Sequence, residues 1–270
     1  MKYDFLSKLS LLKHQAFQIK ALKKEQEHLK QKCRQFEALL AQTDYLPIPP
    51  QELIVRVDYS DDVDLFLGVG RIIFWDLKRL LFDIGKNFES FHSILDFGCG
   101  CGRVTRFLRP TNHQVITGMD IDPESIGWCK ANLSHIAEFE TINFLPPLPY
   151  TDNSIDFIFC ISVFTHLPED MQFQWLEELR RITKPQGIFI ASIHGEGLLP
   201  TNDSEVLNNF TKNGFVYIKG GGTKGLPDFY QTTYHAKSYI DKNWSRYFNI
   251  LNIQTRAIGN YQDGIVCQKV

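Results

Sequence analysis

The sequence has no apolar run long enough to cross a membrane. The longest such run, from Phe157 to Phe164, has the length of a buried strand, whereas a membrane-spanning helix needs about 20 consecutive apolar residues. A secretory signal is also missing, because charges interrupt the first ten residues, MKYDFLSKLS. We therefore expect a soluble protein of the cytoplasm.

An excess of positive charge is absent from the chain as a whole. Its 29 Lys and Arg residues are slightly outnumbered by 31 Asp and Glu residues, which gives a net charge of -2. Proteins that bind nucleic acid usually carry a strong basic excess, so no nucleic-acid partner is predicted. Basic residues are concentrated only in residues 1–43, which hold nine Lys or Arg and four acidic residues.

The sequence also lacks any CxxC pair. It has six cysteines, at Cys33, Cys99, Cys101, Cys129, Cys160 and Cys267. Their spacing resembles neither a disulfide framework nor a zinc site. We therefore predict reduced, mostly buried thiols and no bound metal.

The N-terminal segment, residues 1–43, lacks both proline and glycine. Its apolar residues recur in steps of four and three, from Phe5 to Ile19 and from Leu29 to Leu40, a pattern typical of a coiled coil. A helix with one apolar stripe needs a partner in water. Three partners fit: a second copy of the helix, giving a homo-oligomer, the body of the protein, or a membrane surface. The basic charge also suits an anionic polymer or an acidic lipid surface.

Three prolines within residues 44–50 end this predicted helix, because proline removes backbone donors and forces extended geometry. We place a domain boundary there, with one domain over residues 44–270. From residue 93, short apolar segments alternate with amphipathic ones, which favours a parallel sheet with helices on both faces. The predicted strands cover residues 93–97, 114–119, 139–144, 154–161 and 188–193, and helices are predicted over 123–133 and 169–182.

The alternation stops after the fifth predicted strand. Residues 195–243 are rich in glycine and show no clear strand pattern, so we interpret them as an insert on the acceptor side of the domain. Two later apolar segments, residues 247–253 and 264–270, favour a closing antiparallel hairpin.

The most informative segment is ILDFGCGCGR, residues 94–103. Its alternate glycines let the backbone approach a ligand without a Cβ atom in the way, and a helix expected next would present free N–H groups to an anion. A dinucleotide-binding GxGxxG motif is excluded, because Arg103 occupies the third glycine position. The carboxylate of Asp96 would repel a pyrophosphate, but it suits a ligand that carries an ammonium and a sulfonium.

A second motif, GMDID, ends the next predicted strand. Asp120 at such a strand end can accept both ribose hydroxyls of a bound nucleoside. Ile121 would then lie beside the base. Asp122 is the predicted N-cap of the following helix, which Pro123 opens.

With these motifs the chain resembles the class I S-adenosylmethionine-dependent methyltransferases over roughly residues 90–195. The resemblance rests on LDFGCGCG, GMDID, PPLPYTDNSIDFIF, SVFTHL, WLEELRRI and KPQG. It implies a doubly wound, Rossmann-like α/β fold, with a seven-stranded sheet in the order 3-2-1-4-5-7-6, behind the long N-terminal helix. It also implies S-adenosylmethionine as cofactor.

The resemblance carries specific roles onto this chain. Asp96, Gly98 and Gly100 would line the methionine end of the cofactor, Asp120 would hold the ribose, and Ser162 would lie near the methyl group. Where many members have an acid for the adenine amine, this chain offers Asn143. The full predicted cofactor set is Asp96, Gly98, Cys99, Gly100, Gly102, Asp120, Ile121, Asn143 and Ser162.

The resemblance further suggests a subgroup often tied to sugar or polysaccharide modification. The sequence lacks the Asn/Asp-Pro-Pro-Tyr/Phe box of base N-methylation, which favours an oxygen acceptor on a small molecule or glycan. A hydroxyl acceptor needs a base to remove its proton. The candidates for that base are His166, His194, Asp228 and His235.

Two other functions fit the sequence. One is a non-catalytic binding module with the methyltransferase fold, recruited to partners through the N-terminal helix. The other is protein methylation, because acceptor pockets in this fold are built from variable inserts. Bound cofactor would separate the enzyme from the module, and acceptor screens would separate a small-molecule enzyme from a protein methyltransferase.

Overall fold

The computed structural model describes residues 45–58, 60–200, 202–220 and 226–270. It also places five isolated positions in helix, at Ile19, Leu22, Lys23, Gln26 and Lys30. The rest of the predicted N-terminal helix, residues 1–43, lies outside the described residues.

A seven-stranded, mostly parallel sheet forms the centre of the described chain, in the order β3-β2-β1-β4-β5-β9-β8. The first five strands are parallel, and β9 runs antiparallel to both β5 and β8. Its strands are β1 (Ser93–Phe97), β2 (Val115–Asp120), β3 (Glu138–Thr141), β4 (Ile155–Cys160), β5 (Thr183–Ile193), β8 (Asn249–Ile258) and β9 (Gln262–Gln268).

The strand numbers differ from the predicted 3-2-1-4-5-7-6. The reason is a separate two-stranded sheet, β6 (Phe215–Ile218) and β7 (Thr232–His235), inside the segment where no strand was predicted. Each of these strands has only four residues and pairs across a long intervening loop, so its local pattern is weak. The two closing strands therefore carry the numbers 8 and 9, and they form the predicted antiparallel hairpin.

Helices cover both faces of the sheet. They are α1 (Gln51–Asp58), α2 (Val63–Asp83), α3 (Pro123–Asn132), α4 (Glu169–Ile182), α5 (Ser204–Asn213) and α6 (Lys237–Asn243). The predicted start of α3 is confirmed, since the Asp122 side chain caps it by accepting from the Glu124 backbone N–H at 3.1 Å. None of the described helices is long and apolar enough to cross a bilayer.

The connection after β1 differs from the expected helix. A glycine loop leads instead into a single 3-10 turn, Thr105–Phe107. Leu108 is already extended, and Arg109 precedes Pro110, where the proline ring disfavours helical geometry. Exposed backbone groups near the cavity therefore belong to the loop and not to the start of a long helix.

Alternation of side chains along the strands builds two cores. Leu95 and Phe97 of β1 pack on the face covered by α4, with Trp175 among their neighbours, while Ile94 packs on the face covered by α2. This arrangement brings the carboxyl ends of β1, β2 and β4 together at one edge, which is where α/β sheets of this kind bind ligands.

Candidate active site

A cavity lies at the carboxyl ends of β1, β2 and β4. It holds about 960 Å³ of empty space when its open mouth is counted. Its walls come from α1, from the loops that follow β1 to β4, and from the insert that precedes β7.

The glycine loop forms the floor of this cavity. Gly98 and Gly100 have positive φ angles of 82° and 53°, which favour residues without a Cβ atom. A Cβ atom would lie 2.2 Å from the Val163 Cγ2 at Gly98 and 2.5 Å from the Val57 Cγ1 at Gly100. Both positions therefore require glycine, and both line the cavity.

Asp96 lies at the end of β1 beneath the loop. It is 2% exposed and accepts a hydrogen bond from the Thr105 hydroxyl. Burial, together with the nearby Asp120 carboxylate, raises the pKa of Asp96 to about 7. A cationic ligand in the cavity would stabilise the charged form of Asp96, so the site is suited to positive charge.

Asp120 connects the second strand to the glycine loop. Its carboxylate accepts the Gly100 N–H at 2.7 Å and the Asp122 N–H at 2.9 Å, one on each oxygen. Burial raises its pKa from the ordinary value. Each carboxylate oxygen can accept a second hydrogen bond, so the side chain can still take the predicted ribose hydroxyls.

Two arginines in the cavity wall were not in the predicted cofactor set. Arg56 of α1 donates to both Asp122 oxygens at 2.8 and 3.0 Å, and Arg103 donates to the Val57 carbonyl oxygen at 3.0 Å. The sequence did mark Arg103, because this arginine occupies the third glycine position of the GxGxxG pattern. No local pattern marks Arg56, because it reaches the site from a helix that precedes β1.

Ser162 follows β4 with a positive φ of 61°, a strained conformation for a residue with a side chain. Its N–H donates to the Ser192 hydroxyl at 2.8 Å, and its hydroxyl lies 2.9 Å from the Gln262 amide nitrogen. Its carbonyl oxygen accepts the Tyr230 hydroxyl at 3.1 Å. Three separate segments therefore fix this residue at the cavity edge.

Most of the predicted cofactor set meets in one cavity. The residues that line it are Asp96, Gly98, Cys99, Gly100, Asp120, Ile121 and Ser162. Gly102 does not line the cavity and packs instead against Leu133, where a Cβ atom would be 2.5 Å from the Leu133 Cδ1. Asn143 lines an adjoining cleft, and its neighbours Ile142 and Phe144 line the cavity.

The structure does not bring the four predicted bases into the cavity wall. His166 is buried and stacks on Tyr230 with ring centroids 4.1 Å apart. Its Nδ1 lies 2.6 Å from the Gln231 carbonyl oxygen, so that nitrogen carries the proton. Burial lowers the pKa of His166 to about 4, which keeps the ring neutral at pH 7.

The other three candidates are also placed elsewhere. His194 is buried, with its Nδ1 3.2 Å from the Thr233 carbonyl oxygen. His235 is fully buried, with its Nε2 2.9 Å from the Gln172 Oε1, and burial lowers its pKa to about 3. Asp228 is exposed. Each of them stays a prediction for a direct role.

Part of the insert contributes to the cavity wall. Leu226, Phe229 and Tyr230 line the cavity. The Phe229 ring lies 5.6 Å from the Phe144 ring between centroids. No local signal marks this pair, because the two rings are far apart along the chain and meet only in the folded protein.

Comparison with known proteins agrees with this geometry. Residues 95–191, which hold the glycine loop and the acidic strand ends, match the family model described as a methyltransferase domain. The match supports the resemblance of this chain to the class I S-adenosylmethionine-dependent methyltransferases. It also supports S-adenosylmethionine as the cofactor.

One curated relative and two solved structures give the range of similarity. The probable methyltransferase ltbC of Aspergillus luteorubrus is 35% identical over 106 residues, which cover 35% of this chain and 37% of that protein. The chain therefore spans well under half of this relative.

The two structures show the fold. The PH0226 protein of Pyrococcus horikoshii has a TM-score of 0.54 at 21% identity and covers 74% of this chain and 91% of its own. The magnesium protoporphyrin IX methyltransferase of Synechocystis, solved with bound SAH, has a TM-score of 0.53 at 15% identity, with 80% and 91% covered.

Proposed function

We propose that the protein is an S-adenosylmethionine-dependent methyltransferase that acts on an oxygen atom of a small molecule. One observation carries this proposal: the cavity exposes the backbone of Gly98 and Gly100 between the carboxylates of Asp96 and Asp120. Buried carboxylates suit a ligand with an ammonium, a sulfonium and a ribose. They do not suit a pyrophosphate.

The residues present fit the proposed cofactor. Asp96 would face its cationic end, Arg103 and Arg56 lie where a carboxylate could be paired, and Asp120 would hold the ribose hydroxyls. Ile121 supplies apolar surface for the adenine. When bound, the cofactor supplies an electrophilic methyl group, and the protein then has to orient the acceptor and exclude water.

The choice of acceptor is a narrower part of the proposal. The hypothesis of a sugar or glycan rests on the resemblance to a subgroup of this family. A sugar hydroxyl would need a base close to the methyl group, and the four base candidates lie outside the cavity wall. The geometry therefore supports a small-molecule acceptor better than it supports a glycan.

Two alternatives remain proposals of their own. A non-catalytic module would keep the fold without binding the cofactor, whereas a protein methyltransferase would bind the cofactor and transfer the methyl group to a polypeptide. The intact glycine loop, in which Gly98 and Gly100 adopt positive φ angles that favour glycine, favours the enzyme.

The first test is calorimetric titration of the full chain with S-adenosylmethionine, S-adenosylhomocysteine and NAD. We expect one saturable site for the first two ligands and none for NAD. Asp120→Asn should weaken binding by about tenfold or more, or about 1.4 kcal/mol, because the ribose hydroxyls lose a charged acceptor.

The matched control is Asp64→Asn, because Asp64 is an exposed carboxylate on α2. That variant should bind both ligands as the unmodified protein does. Unchanged affinity in folded Asp120→Asn would remove the ribose assignment. Absence of binding to the unmodified chain would favour the non-catalytic module.

A further inference from the structure

The charged side chains that line the cavity come from a few neighbouring elements. Among the described lining residues they are Arg56, Asp96, Arg103, Asp120 and Asp122, and they come from α1 and from the ends of β1 and β2 and the loops that follow them. The proposed cofactor would lie against these residues.

Another part of the cavity lining is an apolar wall, defined here by Ile142, Phe144, Leu226, Phe229 and the ring of Tyr230. Residues after β3 supply two of these side chains, and the insert supplies three. The Phe144 and Phe229 rings are tilted at 48° with centroids 5.6 Å apart, so the wall is continuous across the two segments.

Polar groups beside this wall already have partners within the protein. The Tyr230 hydroxyl donates to the Ser162 carbonyl oxygen at 3.1 Å. The Ser162 hydroxyl lies against Gln262, at 2.9 Å from its amide nitrogen. A molecule with many hydroxyls would bury several of them against the wall without partners, which is unfavourable.

No histidine or carboxylate of the described chain belongs to the apolar wall. The imidazoles of His166 and His194 donate to backbone carbonyl oxygens of the insert, and Asp228 is exposed. An acceptor bound against the wall must therefore lose its proton without a strong base. A phenol does so far more readily than an aliphatic hydroxyl, since a phenolic pKa is about 10.

We infer that the acceptor is a compact, largely apolar molecule that presents a phenolic hydroxyl and is bound by Phe144, Phe229 and Tyr230. This inference rests on the proposed function. In the transfer, a bond forms between the phenolate oxygen and the methyl carbon while the carbon–sulfur bond breaks. The sulfur keeps the electron pair, which leaves S-adenosylhomocysteine, and the phenolic proton goes to solvent.

The test compares two probes that share an alkyl chain, 4-octylphenol and octyl β-D-glucopyranoside, both below their micelle-forming concentrations. Each is titrated by calorimetry into the full chain loaded with S-adenosylhomocysteine, so the readout is binding and not turnover. We expect 4-octylphenol to bind at one site, at least tenfold more tightly than the glucoside.

Two variants locate the site. Phe229→Ser should weaken 4-octylphenol binding by at least tenfold. Phe144→Ser should do the same, and because Phe144 is 53% exposed, its loss should leave the fold intact. Phe82→Ser is the matched control: Phe82 lies on α2 and is 79% exposed, outside the cavity lining, so binding should be unchanged.

The outcomes separate this inference from the function it rests on. No binding of S-adenosylhomocysteine to the unmodified chain would overturn the proposed function, and with it the inference. Normal S-adenosylhomocysteine binding with no phenol binding, or with equal or tighter glucoside binding, would overturn the inference alone. The inference would also fail if folded Phe144→Ser binds the phenol normally, or loses S-adenosylhomocysteine as well.

Discussion

His166, His194 and His235 illustrate how one residue type can serve structure where the sequence suggests catalysis. His166 and His194 donate from Nδ1 to the carbonyl oxygens of Gln231 and Thr233. His235 lies two residues beyond Thr233 in the same segment. Together they attach β7 and its preceding turn to the loops after β4 and β5. These contacts hold Tyr230 against Ser162.

Burial of these imidazoles makes stability depend on pH. The pKa of His166 falls from 6.5 to about 4 on folding, so the unfolded chain takes up its proton first as the pH drops. The folded state therefore loses stability between pH 6.5 and 4. Titration of His166 alone should lower the free energy of unfolding by about 2 kcal/mol at pH 5 relative to pH 7.5. Urea unfolding of wild type and of His166→Asn at both pH values measures this difference.

The quantity to compare between proteins is the loss of unfolding free energy from pH 7.5 to pH 5. Asp96 acts in the opposite direction, because its raised pKa favours the folded state as the pH falls. The His166→Asn variant should therefore show a smaller loss, by about 2 kcal/mol, whatever its stability at pH 7.5. His135→Asn, at an exposed position, should keep the wild-type loss. Equal losses in all three proteins would contradict the neutral, buried state of His166.

At the scale of elements, the loop after β1 depends on glycine in a way that a helix does not. Gly98→Ala would place a Cβ atom 2.2 Å from the Val163 Cγ2 at a φ of 82°. We expect a loss of about 2 kcal/mol or more in unfolding free energy, together with weaker S-adenosylhomocysteine binding, because the loop must move. Chemical denaturation and calorimetry give the two values.

Gly127→Ala is the matched substitution in a helix. Gly127 lies inside α3, and a Cβ atom there would meet nothing within 4 Å. Alanine at this position should stabilise the protein by about 0.5–1 kcal/mol, since it restricts the unfolded chain and favours helix. Equal stability of the two alanine variants would contradict the close approach of the loop to Val163.

The elements also differ in how far the sequence could predict them. The start of α3 was predictable from Asp122 and Pro123, because capping depends on neighbouring residues. The strands β6 and β7 were missed, because each is four residues long and is defined by pairing across the intervening loop. Pairing of this kind leaves little local pattern.

At the scale of the whole molecule, we propose that residues 1–43 mediate self-association. The proposal rests on the heptad pattern in the sequence, and these residues are the basic part of an otherwise acidic chain. Removing them should lower the molecular mass in sedimentation equilibrium from that of an oligomer to that of a monomer. The described domain starts beyond them, so S-adenosylhomocysteine binding should persist.

A milder variant keeps the segment present. Replacing Leu12 and Leu29 with lysine would interrupt the apolar stripe without shortening the chain. It should lower the mass as the deletion does. An oligomer that survives both changes would exclude this segment as the interface. Binding of the unmodified chain to acidic vesicles, lost on deletion of residues 1–43, would instead support the membrane alternative.

Features that depend on neighbouring residues could be predicted from the amino-acid order alone. They are the glycine loop, the acids that end β1 and β2, the cap of α3 and the alternation of strands and helices. Backbone strain, capping and burial act over a few positions, so each of these leaves a local pattern. The part of the cavity where we propose that the cofactor binds therefore followed largely from Asp96, Gly98, Gly100 and Asp120.

The meeting of distant side chains, in contrast, is set by the folded chain. Arg56 reaches the cavity from a helix before the sheet, and Phe144 meets Phe229 across two distant segments. His166 is directed at the insert and not at the cavity. These contacts depend on long-range packing of the chain, which no local pattern encodes, and they form the part of the cavity where we propose that the acceptor binds.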